Sequence, residues 1–282
     1  MGFDADWLAA RAPYDEAALD RPAITSIQEW TERLPDEYAP VVVDLGSGTG
    51  AALNRARRWL APRRIVAYAV DQDAILLAQA VTPVGGSPVT PLVGDVLQPL
   101  DPLGGPPDGT VDLVVGHALA DLLPLDRLAA RVSALLRPGG LAHLALTYDG
   151  VTTFEPANDL DTSVLSAFHR HMDRPARTLR DFGGSTAGRR LGPALAAAGL
   201  TILVNAPSVW HVVATDGAGG ESVLAGLLRF ILEAAREVGG VDPGDLEVWA
   251  LARQSAIARR ALAAHVIHRD LLAGKLRSNH PR

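Results

Sequence analysis

Three aspartates and one glycine-rich turn are the residues of this sequence best placed to do chemistry. Asp44 closes the apolar run Val41-Val42-Val43, and Gly46-Ser47-Gly48-Thr49-Gly50 follows one residue later. Asp71 closes a second apolar run from Ile65 to Val70, 21 residues beyond Gly50, and Asp95 closes a third at Leu92-Val93-Gly94. Glycines take positive φ and let backbone approach a ligand, and a helix starting at Ala51 presents free N–H groups. A carboxylate accepts from both hydroxyls of a ribose diol, which suits Asp71 at a strand tip. The pattern is that of a nucleotide cradle. Gly46-x-Gly48-x-x-Ala51 also satisfies the dinucleotide fingerprint, so a nicotinamide-dependent oxidoreductase competes at this point. Asp44 argues against it, because a carboxylate there repels a pyrophosphate. A ligand carrying an ammonium and a sulfonium gains from the same charge.

The elements that must hold these residues follow from periodicity. Val41–Val43, Ile65–Val70, Leu92–Val96, Val111–His117 and Leu141–Thr147 read as buried strands, and Ala51–Leu60 and Leu125–Leu136 as helices. The helix after Asp71 starts at Gln72-Asp73, with Asp73 as its N-cap. Arg137-Pro138-Gly139-Gly140 stops the amphipathic helix before the fifth strand. Val81–Pro91 and residues 97–110 are rich in Pro and Gly and read as loops. Leu200–Ala206 and Val209–Thr215 read as a final hairpin. Two long apolar stretches, Leu224–Val238 and Leu246–Ala273, read as helices.

These landmarks resemble the class I S-adenosylmethionine-dependent methyltransferases over residues 40 to about 147. Asp44-x-Gly46-x-Gly48-x-Gly50, the acids Asp71 and Asp95, and the Arg-Pro-Gly-Gly stop stand in that family's order. The resemblance implies an α/β fold, a doubly wound seven-stranded mostly parallel sheet with helical additions at both ends. It implies a cofactor site of Asp44, Gly46, Ser47, Gly48, Gly50, Asp71, Gln72, Asp95, Val96 and His117. Asp95 would face the adenine amine and Val96 the ring. The implied reaction moves a methyl group from S-adenosylmethionine, leaving S-adenosylhomocysteine, and a non-catalytic cofactor-binding partner subunit is the other alternative. The expected layout is an N-terminal helical lid over 1–38, a core over 39–216 with a substrate-side insert at 150–188, and a C-terminal helical extension over 217–282.

The substrate side is the least patterned. Open parallel sheets bind ligands at their carboxyl ends, which puts His117 and Tyr148 at the cleft mouth. His117, Tyr148 and His169 are the candidate proton-transfer groups, and Tyr14, Tyr148, Glu155, His169 and His171 the candidate substrate contacts. Asp15 and Asp161 join them as polar residues of the lid and insert. His169 and His171 stand two apart on one helix and cannot share an ion, so no metal is expected. A formal charge of −6 and scattered Arg pairs argue against a nucleic-acid surface. The place after the fourth strand reads Gly116-His117-Ala118-Leu119, unlike the Asn/Asp-Pro-Pro-aromatic of enzymes acting on nucleic-acid amines. No cysteine is present, which removes disulfides and thiolate nucleophiles. The N-terminus lacks a signal-peptide pattern and no run reaches membrane-spanning length, so a cytoplasmic, GC-rich bacterial protein acting on a small soluble molecule is expected. A homodimer through the C-terminal helices is a further expectation. His268-Arg269-Asp270 is compact and polar, and local pattern assigns it no role.

Overall fold

The computed structural model describes residues 5–80, 88–174 and 183–276. The loop expected over 81–91 and the segment Asp181-Phe182 lie largely outside them. Seven strands form one sheet in the order β3-β2-β1-β4-β5-β7-β6. β1 (Val41–Leu45), β2 (Val66–Asp71), β3 (Val89–Val93), β4 (Val111–His117) and the first part of β5 (Leu136–Glu155) run parallel. β7 (Ala263–Gly274) pairs antiparallel with both β5 and β6 (Thr201–Val213). The expected seven-stranded, mostly parallel, doubly wound sheet is therefore present.

Helices cover both faces because central strands buried on two sides leave no face for water. On one face lie α5 (Leu125–Leu135) and α7 (Ala187–Ala197), which pack Leu128, Val132, Leu135, Leu191 and Leu195 into the core. Complete burial of such a side chain contributes about 1.5–3 kcal/mol. The other face takes α1 (Ala5–Ala18), α2 (Arg21–Glu32), α3 (Ala51–Leu60), α6 (Asp161–Met172), α8 (Ala218–Val238) and α9 (Pro243–Ala258). α4 (Ala74–Ala80) follows β2 and starts where Asp73 Oδ1 accepts from the backbone N–H of Ile75 and Leu76 at 2.9 and 3.1 Å. The capping role expected for Asp73 holds.

Three element assignments differ from the sequence expectation. The third strand is Val89–Val93, not Leu92–Val96, because Asp95 and Val96 sit in the turn that follows it. Thr201–Val213 is one continuous edge strand rather than a hairpin, with Pro207 and Ser208 paired in register to Arg269 and His268. Ala263–Gly274, expected as the end of a long helix, is the strand β7. Its burial alternates with a period of two through Asp270, the mark of a strand with unlike faces. The C-terminal region is thus two helices inserted between β6 and β7, followed by the strand that completes the sheet.

β5 is long because it serves two partners. Its first half pairs with β4 and its second half, Val151–Glu155, runs on with Ala263–Ile267 of β7. The change occurs at two register shifts, where Leu146 and Gly150 take φ of +57° and +81°. Such bulges twist and re-aim a strand. Beyond them, β5, β7 and β6 form a three-stranded antiparallel extension past the carboxyl end of the parallel sheet.

Candidate functional site

The carboxyl ends of β1, β2 and β4 border a cavity of about 530 Å³. Its floor is the turn after β1. Gly46, Gly48 and Gly50 take φ of +66°, +51° and +85°, conformations that side-chain-bearing residues rarely adopt. At Gly50 a Cβ would also stand 2.9 Å from the Cα of Ala80, so the end of α4 closes on it. Gly46, Ser47 and Gly48 line the cavity, while Gly50 lies behind it as the left-handed residue that starts α3.

Asp71, Gln72, Asp95, Val96 and His117 line the same cavity. Asp71 Oδ2 accepts from the Gly48 N–H at 2.8 Å and its Oδ1 from the Asp73 N–H at 2.9 Å, which couples the second strand tip to the glycine turn. Asp95 Oδ1 accepts from the Leu97 N–H at 2.9 Å and sets the turn after β3.

Asp44 differs from expectation. It is fully buried and absent from the cavity wall. Its Oδ2 accepts from Ser47 Oγ at 2.8 Å and from the Leu53 N–H at 3.1 Å, so it fastens the turn to the first residues of α3. Burial pushes its carboxyl up to about 7 against those two hydrogen bonds. Its charge shapes the cradle from behind and does not face the ligand space.

The cavity is covered by α1, which places Leu8, Arg11 and Asp15 on it at helical spacing. Arg55 of α3 holds α1 there. It is 3 % exposed, and its guanidinium reaches Glu16 Oε2 at 3.0 Å, Asp15 Oδ2 at 3.4 Å and the Ala12 carbonyl at 3.3 Å. Its Nη1 also lies 3.4 Å from His117 Nδ1. Arginine cannot accept a hydrogen bond, so His117 Nδ1 is the acceptor and its proton resides on Nε2. That Nε2 stands 3.1 Å from His143 Nδ1, which must accept in turn. Both imidazoles are then neutral, in line with the burial that pulls His117 well below 6.5 and His143 down to about 3. With both ring nitrogens engaged, His117 is a wall of the cavity and not a free base.

The remaining expected substrate residues are not brought to this cavity. Tyr14 donates to Asp216 Oδ2 at 2.9 Å and ties α1 to the start of α8. Tyr148 is buried, its hydroxyl 2.7 Å from His169 Nε2 and 3.1 Å from Thr152 Oγ1, a pair that locks α6 onto β5. Burial raises the Tyr148 hydroxyl to about 12 and lowers His169, so both are neutral near pH 7. His171 Nε2 lies 3.0 Å from Glu237 of α8, and Glu155 stands 3.7 Å from His265 at the far tip of the antiparallel extension. Asp161 accepts from Trp249 Nε1 at 2.7 Å and pairs with Arg253, which fastens α6 to α9. These side chains are structural joints because α6 docks against α8 and α9, away from the parallel strand ends. Sequence reasoning missed Arg11, Arg55 and His143. Nothing local distinguished Arg11, Arg55 or His143 from other helix and strand residues.

Residues 42–140 match the family model of the methyltransferase domain. No curated protein sequence matches the chain. Among solved structures, a presumed methyltransferase of Bacillus halodurans C-125 superposes with a TM-score of 0.53 at 14% identity, covering 90% of this chain and 98% of that one. A presumed sarcosine dimethylglycine methyltransferase from Galdieria sulphuraria gives a TM-score of 0.48 at 14% identity, covering 90% and 84%. A geranyl diphosphate C-methyltransferase of Streptomyces coelicolor A3(2), solved with Mg2+, geranyl diphosphate and S-adenosyl-L-homocysteine, gives 0.43 at 15% identity, covering 89% and 79%. Identities this low speak of the fold alone. The domain match spans the glycine turn, Asp71 and Asp95, so over residues 42–140 this chain is similar to a methyltransferase domain.

Proposed function

We propose that the protein transfers the methyl group of S-adenosylmethionine to a small soluble molecule, releasing S-adenosylhomocysteine. The observation that carries this is the convergence of Asp71, Asp95 and the open glycine backbone of residues 46–48 on one cavity. Asp71 would hold the ribose hydroxyls, Asp95 the adenine amine, and Val96 the face of the ring. When bound, the cofactor supplies a sulfonium-activated methyl group, so the chain's task is approach geometry and exclusion of water. α1 performs the second by lying over the cavity. No described helix is long and apolar enough to cross a membrane. The acidic balance and a cavity closed over by α1 favour a small acceptor over a nucleic acid. Val248 and Leu251 of α9 are exposed, the feature that a homodimer through the C-terminal helices would cover.

Titration calorimetry of the purified protein with S-adenosylhomocysteine against NADH separates this from an oxidoreductase. Heat with the first and none with the second is expected. Asp71→Ala should weaken S-adenosylhomocysteine about 100-fold, since hydrogen bonds to a charged group are worth about 1.5–3 kcal/mol each. Equal affinity in the variant would remove Asp71 from the site. Labelled-methyl transfer into a metabolite extract, with no label in a boiled control, distinguishes an enzyme from a binding subunit. Arg55→Leu should weaken S-adenosylhomocysteine about tenfold by releasing α1. It should also open the Arg11–Ala12 bond to trypsin; unchanged affinity and cleavage would show that α1 holds without it.

A further inference from the structure

α9 is held from one side only. Leu246, Trp249, Ala250, Arg253 and Ala256 are buried, and Trp249 and Arg253 clamp Asp161 of α6. The opposite side carries Val248 and Leu251, 60% and 58% exposed, one turn apart. Ser255 and Ala258 continue that face at steps of four and three residues and are also exposed. Bulk therefore stands at the front of the face and small residues behind it. An apolar groove of about 360 Å³ runs beside it, lined by Ala225, Leu228 and Leu232 of α8 and by Ala250 and Ile257 of α9. The charges are sorted along the same helix. Asp245 lies exposed near its start and Arg259 at its end. Among the described contacts the Asp245 carboxylate meets no donor, and the Arg259 side chain donates to Ser255 Oγ and meets no carboxylate. The helix rises about 21 Å between the two residues, so they cannot pair within one chain.

We propose that α9 pairs antiparallel with α9 of a second copy of this chain, about a two-fold axis passing between Leu251 and Ala252. This rests on the homodimer reading above and is independent of the methyl acceptor. In that register Val248 of one protomer faces Ser255 of the partner subunit, and Leu251 packs beside Ala252 of the partner subunit. Each bulky side chain thus meets a small one. Asp245 comes to Arg259 of the partner subunit, and symmetry makes the contact twice. A parallel pairing would instead set aspartate on aspartate and arginine on arginine. The antiparallel arrangement also lays opposite ends of the helix dipoles side by side. Exposed ion pairs add little affinity but fix register, so the apolar face holds the copies together and the charges orient them. A contact built on one helix of 16 residues is small for an interface. Its affinity therefore falls toward the micromolar end.

Sedimentation velocity of the full chain from about 1 to 200 µM tests the pairing. The wild type is expected to pass from the 29.7 kDa monomer to a dimer across that range. Leu251→Asp should stay monomeric throughout, with its urea midpoint unchanged because the side chain is exposed. Asp245→Arg and Arg259→Asp each put two like-charge contacts into the dimer and should weaken it about tenfold or more. Mixed in equal amounts, these two variants should associate to within about threefold of the wild type, because both contacts of the mixed pair again join opposite charges. No recovery on mixing overturns the antiparallel register. A dimer untouched by Leu251→Asp lies on another surface and overturns the α9 assignment while the homodimer reading stands. A wild type that is monomeric at every concentration fails the homodimer reading itself, and this pairing with it, and leaves the face to an unlike protein.

Discussion

Asp270→Ala is expected to lower stability by about 3–5 kcal/mol, the cost of stripping three hydrogen-bond donors of their shared acceptor. Asp270 has no exposed surface. Its Oδ1 accepts from the Leu146 N–H at 2.9 Å and from Ser208 Oγ at 2.9 Å, and its Oδ2 from the Asp20 N–H at 2.8 Å. One side chain on β7 thereby joins β5, β6 and the N-terminus of α2, and Asp20 in turn caps α2 by accepting from the Ala23 N–H at 2.8 Å. The Leu146 contact fixes the residue at φ +57°, where β5 leaves regular geometry. Alanine would leave two buried donors and one half-buried donor unpaired, the buried ones worth about 1–3 kcal/mol each. Asp270→Asn keeps one acceptor oxygen and should lose less. The check is the urea midpoint at pH 7, with the slope unchanged. An alanine variant within about 0.5 kcal/mol of wild type would remove Asp270 from the joints of the fold.

His268→Phe should gain stability relative to wild type as the solution is acidified, by about 2–3 kcal/mol between pH 7.5 and 4.5. His268 is 4% exposed, with ring centroids 4.6 Å from Trp210 and 6.2 Å from Tyr148, and its Nδ1 has no partner. Burial, then the charge of Arg11, pulls it from 6.5 down to about 3. A histidine with a depressed folded value resists protonation in the fold but accepts it in the unfolded chain. Its contribution is therefore present above pH 6.5 and is lost as pH falls toward the folded value near 3. His143 acts in the same sense. Asp44, raised to about 7, and Asp121, raised to about 6, act oppositely: their contributions are present at low pH and lost as pH rises through those values. These terms offset in the wild type, so the difference between variant and wild type isolates His268. Urea midpoints for both proteins at three pH values would give diverging curves. Parallel curves would place His268 in a more hydrated site than this fold gives it.

The two predictions rest on neighbouring residues of a segment whose local pattern assigned it no role. His268, Arg269 and Asp270 are consecutive, but each meets a different part of the chain. His268 packs on Trp210, Arg269 donates to Asp149 Oδ2 at 2.9 Å, and Asp270 gathers three backbone and side-chain donors. Their meaning is entirely tertiary.

What the sequence determined by itself is the contiguous cradle. The strand Val41–Leu45, the glycine turn, α3, β2 with Asp71 and β4 are legible because their signals are local. Apolar runs of strand length, glycines at fixed steps and acids at run ends all lie within a few residues of what they act on. The turn's positive φ values are open to it because its residues are glycines. What only the tertiary structure decided depends on pairing between distant segments. β7 reads as helix by composition, yet the gap between β5 and β6 supplies hydrogen bonds along its whole length. Asp44, His117, Tyr148 and His169 have the right types for chemistry, but neighbours far away in sequence occupy their polar atoms. Arg11 and Asp15 reach the cavity wall because Arg55, distant in sequence, holds their helix onto it. Residue type states what a side chain can bind, and packing states which of its atoms are still free to do so.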